Sequence, residues 1–225
     1  MEISAGRFGI YDASEMVVTQ ANDGLLLKYS SPKFEISAYG GYTGLLNVKN
    51  IKEKGCDASL YSGKDKDYYD FAAPYMIGSV AVSAPYLFAN QSIAVEGIAI
   101  VGSEGPADIE KDKNRFYGTF NINGPLSQNV FYSATATVES VDSESIGLLG
   151  QFNLSSFFDW KNSTLSLRGL YASGASGSFK PFIGFSQQTV CASSDEPDLS
   201  GAVKFGISGS VLPLDSVFCS LGGDV

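Results

Sequence analysis

Apolar side chains recur at every second position of this 225-residue chain, in segment after segment. Successive side chains of a strand point to opposite faces, whereas a helix turns once in about 3.6 residues, so this period predicts β-strands. The segments lie near 3–11, 23–31, 33–44, 74–84, 91–102, 114–123, 129–140, 145–155, 163–173, 200–211 and 216–225. One parity is apolar throughout, as in Leu25, Leu27 and Tyr29, in Phe116, Gly118, Phe120 and Ile122, and in Ile146, Leu148, Gly150, Phe152 and Leu154. The other parity holds the strand charges Lys28, Glu35, Glu96, Arg115, Glu139, Arg168 and Lys204, mostly among Ser, Thr, Asn, Gln, Gly and Ala. Leu26, Tyr39, Ile98, Ile100, Tyr117, Phe131 and Leu149 also fall on that second face.

A β-sandwich also hides one face of each strand, so alternation alone does not choose between a sandwich and a membrane barrel. Two details favour lipid. The apolar face carries Gly40, Gly97, Gly118, Gly150, Gly169 and Gly209, gaps that a packed core has to fill and that fluid acyl chains fill by themselves. Aromatics also gather beside the short connectors: Tyr29 and Phe34, Tyr86 and Phe88, Phe131 and Tyr132, and Phe157, Phe158 and Trp160, the placement of an interfacial girdle. Tight turns alternate with longer polar loops near 12–22, 45–73, 103–113 and 174–199, as in up-and-down barrels. The whole of 1–225 reads as one domain.

Composition narrows the functions. Charged residues make up 17% of the chain and its net charge is −9, which argues against a nucleic-acid partner. Histidine is absent, which removes Ser-His-Asp and Cys-His hydrolases and most zinc sites; no enzyme and no cofactor is expected. No stretch reaches the roughly 18–20 apolar residues of a spanning helix. Cys56, Cys191 and Cys219 lack metal-site spacing, and a Cys56–Cys191 bridge between loops stands against two unrelated thiols. Asp108, Glu110 and Asp112 have the alternate spacing that opens a calcium loop, but Lys113 and Thr119 stand where that loop needs glycine and glutamate, so no metal is expected. Asn162-Ser163-Thr164 is a glycosylation triplet of the kind that chance supplies.

The run from Gly6-Arg7 to Asp23-Gly24-Leu25-Leu26-Leu27-Lys28-Tyr29, followed by a tight turn and Phe34 to Tyr42, resembles a hairpin repeat of bacterial porin-like outer-membrane barrels. In those proteins an inward arginine lines the wall and an Asp-Gly opens the returning strand. The stretch Ala202 to Leu221, strand, proline turn, strand, has the same look. The resemblance implies an all-β, antiparallel up-and-down transmembrane β-barrel of about eleven or twelve strands, embedded in the lipid bilayer of a bacterial outer membrane. The chain departs from the pattern at Leu221-Gly222-Gly223-Asp224-Val225, where such a barrel ends on an aromatic residue, and in its odd strand count. Met1 to Arg7 has no basic run before an apolar core. The expectation is therefore a barrel lacking strands at one or both ends, or one with a twelfth strand over 179–189.

The function this reading implies is passive diffusion of ions or small solutes, with Arg7, Lys28, Glu35, Glu96, Arg115, Glu139, Arg168 and Lys204 lining a pore. Against it stands a wall of charges paired across strands that only stabilises the barrel. In an open lumen, charge reversal at Arg115 or Arg168 shifts ion preference and spares folding; in a plugged barrel it destabilises by several kcal/mol. The alternatives are a surface-exposed structural or adhesive outer-membrane barrel and a soluble secreted carbohydrate-binding β-sandwich. A homo-oligomer is compatible with each.

Overall fold

A computed structural model describes residues 1–42, 75–102, 114–141, 145–174, 179–185, 201–214 and 217–224. The loops 45–73 and 103–113, with Cys56 and the Asp108–Asp112 cluster, lie outside these residues, as does Cys191. Eleven strands follow one another: β1 (Glu2–Tyr11), β2 (Thr19–Ser30), β3 (Glu35–Tyr42), β4 (Tyr75–Phe88), β5 (Gln91–Gly102), β6 (Arg115–Ser127), β7 (Val130–Val141), β8 (Ser145–Phe158), β9 (Ser163–Ala172), β10 (Val203–Leu214) and β11 (Val217–Asp224). They form one sheet in chain order, each antiparallel to its neighbours. Every strand expected from the alternation is present. The twelfth, expected over 179–189, is absent from its described part, since 179–184 carry no regular structure.

Strand ends differ from the sequence reading for a local reason. Pro85, Pro125 and Pro213 read as strand stops, yet β4, β6 and β10 run through them. Each lies where the pairing register shifts, between Ala84 and Phe88, at Pro125–Ser127, and between Val211 and Leu214. A bulge leaves a residue outside the hydrogen-bond ladder, so the missing proline N–H costs little there. β4 then passes to β5 through Ala89 and Asn90, both at positive φ (46° and 60°), the left-handed pair whose twist suits a two-residue hairpin.

The sheet is curled. Ala13 stands two residues beyond β1, a reach of at most ~7 Å, yet its N–H donates to Glu96 Oε2 of β5 at 2.6 Å. In a flat sheet β1 and β5 are four strand spacings apart, about 19 Å. A single interior cluster accordingly gathers Tyr39 of β3, Ile77 of β4, Ile98 and Ile100 of β5, Tyr117 of β6, Leu149 of β8 and Ala172 of β9, with Phe8 and Ile10 of β1 packed against it. On the concave side of β2–β3 the ring of Tyr39 lies over the paired glycines Gly24 and Gly41, where a side chain on Gly41 would collide with its hydroxyl. Phe8 meets the same ring edge-on, with centroids 5.5 Å apart.

The convex face is apolar and exposed over most of its extent; Arg7 and Asp23, opposed on β1 and β2, are its charged residues among those described. Ile3, Leu25, Val80, Val95, Phe120, Val138, Phe152, Leu167 and Phe205 all point outward, Phe205 with 66% of its surface accessible. Exposed aromatics and leucines ring its short-turn end: Tyr29, Tyr86, Phe88, Leu126, Phe158 and Trp160 among them. β1 and β11 are the two edges of the sheet, and among the described residues they do not pair. Ten antiparallel steps separate them, so they run in the same direction.

Candidate functional site

The concave face divides along the strand direction. Its half toward the short turns is lined by small polar side chains joined across strands. Asn121 Nδ2 donates to Thr135 Oγ1 at 2.7 Å, Ser155 and Ser166 lie 3.0 Å apart, and Thr164 and Ser210 2.5 Å apart, while Thr119 and Thr137, 3.0 Å apart and fully buried, mark the boundary with the loop-side half, level with Glu96. All four are directly opposed pairs in the register, so alternation alone brings these groups together.

The eight charged residues read from the sequence do not form a ring. Lys28 and Glu35 pair at the short-turn end of β2–β3, 2.9 Å apart and half exposed. Arg168 stays exposed, with Nη2 3.4 Å from Ser208 Oγ, and Lys204 is half-buried on β10. Arg7 is not on the concave face with the other seven: on edge strand β1 it stands opposite Asp23, on the same side as Ile3 and Leu25, because the register pairs Ile3 with Leu27 and Ala5 with Leu25. The other three sit deep on the loop side. Glu96 is buried and accepts the Ala13 N–H. Arg115 and Glu139 form a buried ion pair through Arg115 Nη1 and Glu139 Oε1. Arg115 therefore departs from the open-lumen expectation, since its pairing face is filled by protein.

Two connectors supply that filling. Between β1 and β2, the Asp12 carboxylate accepts the N–H groups of Ser14 (2.8 Å), Val17 (2.9 Å) and Val18 (2.8 Å) together with the Ser14 hydroxyl. The bent turn that results drives Val17 and Val18, both fully buried, into the interior. Between β9 and β10, residues 179–185 bring Phe182 and Phe185, also fully buried, into the interior; the Tyr117 and Phe182 ring centroids are 6.2 Å apart. These four side chains join the cluster that closes the loop-side half of the concave face.

Asp12→Ala leaves three amides without an acceptor and lets the turn relax. It is expected to lower unfolding free energy by roughly 2 kcal/mol, less than three fully unsatisfied groups would cost. A shifted urea midpoint at unchanged slope checks this; an unmoved midpoint means that the turn carries none of the stability.

Sequence reasoning missed Asp12, Val17, Val18, Phe182 and Phe185. A signal was present in Val17-Val18 and in Pro181-Phe182-Ile183-Gly184-Phe185, apolar runs inside loops that are otherwise polar. It matches the apolar residues of the polar face: Leu26, Tyr39, Ile98, Ile100, Tyr117 and Leu149 all belong to this cluster or pack on it, whereas Phe131 meets Phe157 edge-on at the turn end. Among the described residues no group of three or more Cys, Asp or Glu side chains is arranged to hold a metal, and Cys219 is a free, exposed thiol. No protein-family model matches the chain, and no curated protein matches it in sequence.

Proposed function

We propose that this chain is the wall of a porin-like β-barrel in a bacterial outer membrane, with its concave side forming a conduit for ions or small polar solutes that is stoppered at the long-loop end. The observation that carries the reading is the convex face, which bears exposed apolar side chains from Ile3 to Leu221 and whose charged residues, among those described, are Arg7 and Asp23 on β1 and β2. Monomeric soluble proteins rarely expose apolar patches beyond a few hundred Å², and a bilayer removes that penalty from the whole surface at once. The hydrogen-bonded polar lining on the opposite face suits a lumen. In hydrocarbon the edges β1 and β11 have to be covered, because each unpaired backbone group there costs several kcal/mol. As the two edges run in the same direction, antiparallel closure calls for an odd number of further strands between them.

The filled loop-side interior also favours a second reading, a structural or adhesive outer-membrane barrel with no transport role. Conductance separates the two. The chain is expected to require detergent or lipid, to shift in electrophoretic mobility on heating, and to give intermittent low conductance in planar bilayers. Monomeric solubility without detergent contradicts the membrane reading. Insertion with no conductance under any condition leaves the structural barrel.

A further inference from the structure

We propose that residues 179–185 are a removable strap that closes the concave conduit, latched to the wall at Ile183 by Tyr117 and Glu139. This rests on the conduit reading above.

The two stoppers are held in different ways. The Asp12–Val18 turn is braced by its own side chain, through the four bonds to Asp12 and a backbone bond from Asp12 N to Val18 O at 3.2 Å. It is also tethered closely to β1 and β2, so it leaves the interior only if those strands fray. The hydrogen bonds of 179–185 run instead to the wall and to Ser173, the residue that follows β9 and is itself bonded to Leu148 of β8. Ile183 N–H donates to Glu139 Oε2 at 2.9 Å, and Tyr117 O–H donates to the Ile183 carbonyl at 2.8 Å. Lys180 N–H donates to the Ile146 carbonyl at 2.9 Å, Phe182 N–H to the Ser173 carbonyl at 2.9 Å, and Ser173 Oγ–H to the Lys180 carbonyl at 2.7 Å. The strap belongs to the connector from β9 to β10, residues 173–202, and not to either strand.

The wall is shaped for this contact. Gly147 of β8 faces the strap, and a Cβ there would stand 2.8 Å from Glu139 Oε2 and 3.2 Å from the Phe182 Cα. Any larger residue would push the backbone of the strap away. The Glu139 carboxylate divides its oxygens, Oε1 toward Arg115 and Oε2 toward the strap, so the buried ion pair orients the acceptor that Ile183 meets. Each latch bond exchanges for bonds to water when the strap lifts, so its net contribution is small and opening is accessible without unfolding.

The test uses the full chain in phosphatidylcholine vesicles, with Tyr117→Phe and Gly147→Ala as variants. Tyr117→Phe keeps the ring against Phe182 and removes the hydroxyl that holds Ile183; Gly147→Ala weakens the latch sterically and removes no hydrogen-bonding group. Hydrogen exchange of the Ile183 amide reads the strap, L-arabinose entry in a swelling assay reads the conduit, and heat-modifiability reports folding. Each variant is expected to speed Ile183 exchange by roughly five- to tenfold and to raise arabinose entry in step. Exchange that does not change in folded variants overturns the latch. Faster exchange with no entry, when deletion of 179–185 does give entry, overturns the latch alone; no entry even in the deletion variant overturns the conduit reading with it. A parent chain that admits arabinose as fast as the deletion variant also overturns the proposal.

Discussion

Arg115→Glu is expected to destabilise the folded chain by roughly 3–5 kcal/mol, because it removes the partner of a buried carboxylate and sets a second one beside it. Glu139 is fully buried, and its other oxygen already accepts the Ile183 N–H, so it has no route to solvent compensation. Arg168→Glu is expected to change stability by less than about 0.5 kcal/mol, since that side chain is exposed and its hydrogen bond among the described residues is a long one to Ser208. Urea unfolding from vesicles measures both. The sequence treats the two arginines alike, as residues of one parity; their surroundings make them differ. Equal effects would mean that the loop-side interior is open to water and that the Arg115–Glu139 pair is solvated.

Gly118 is expected to accept leucine with little loss and to reject arginine by roughly 2–4 kcal/mol, the cost of a cation near the bilayer midplane of a barrel. Nothing lies within 4 Å of the place where its Cβ would stand, and its cross-strand partner Gly97 is equally open. A leucine there projects between Phe116 and Phe120 of the same face, both largely exposed, and adds apolar surface to apolar surroundings. In a close-packed core the two substitutions would do similar damage, leucine by overpacking and arginine by desolvation. Refolding yield and unfolding free energy in vesicles of defined thickness distinguish these outcomes.

All eleven strands were legible in the alternation because each strand declares its own period. Their ends were less so: Pro85, Pro125 and Pro213 stop a regular ladder, but a bulge tolerates them, and nothing local in the sequence announces the bulge. Of the glycines on the apolar face, Gly40, Gly97, Gly118 and Gly150 stand beside open space, while Gly169 meets the Phe205 ring at 3.7 Å and Gly209 the Thr164 carbonyl at 3.5 Å. The site was the least legible part. Parity assigns Glu96, Arg115 and Glu139 to a face but cannot say that a loop will cover them, because that depends on how tightly the sheet curls and on contacts such as Ala13 with Glu96, 83 positions apart. The apolar residues of the polar face were the available clue. Ile98, Ile100 and Leu149 have no reason to face an aqueous lumen unless something apolar meets them there.

The central claim is that the convex face meets lipid and the concave face does not, and nitroxide scanning along β6 in lipid vesicles tests it most directly. Single labels at 116 through 122 are read by collision with oxygen, which concentrates in acyl chains, and with a water-soluble nickel chelate. The account predicts strict alternation, with high oxygen accessibility at Phe116, Gly118, Phe120 and Ile122, and low accessibility at Tyr117, Thr119 and Asn121. Uniform accessibility along the strand, or nickel contact at Gly118 and Phe120, would contradict it.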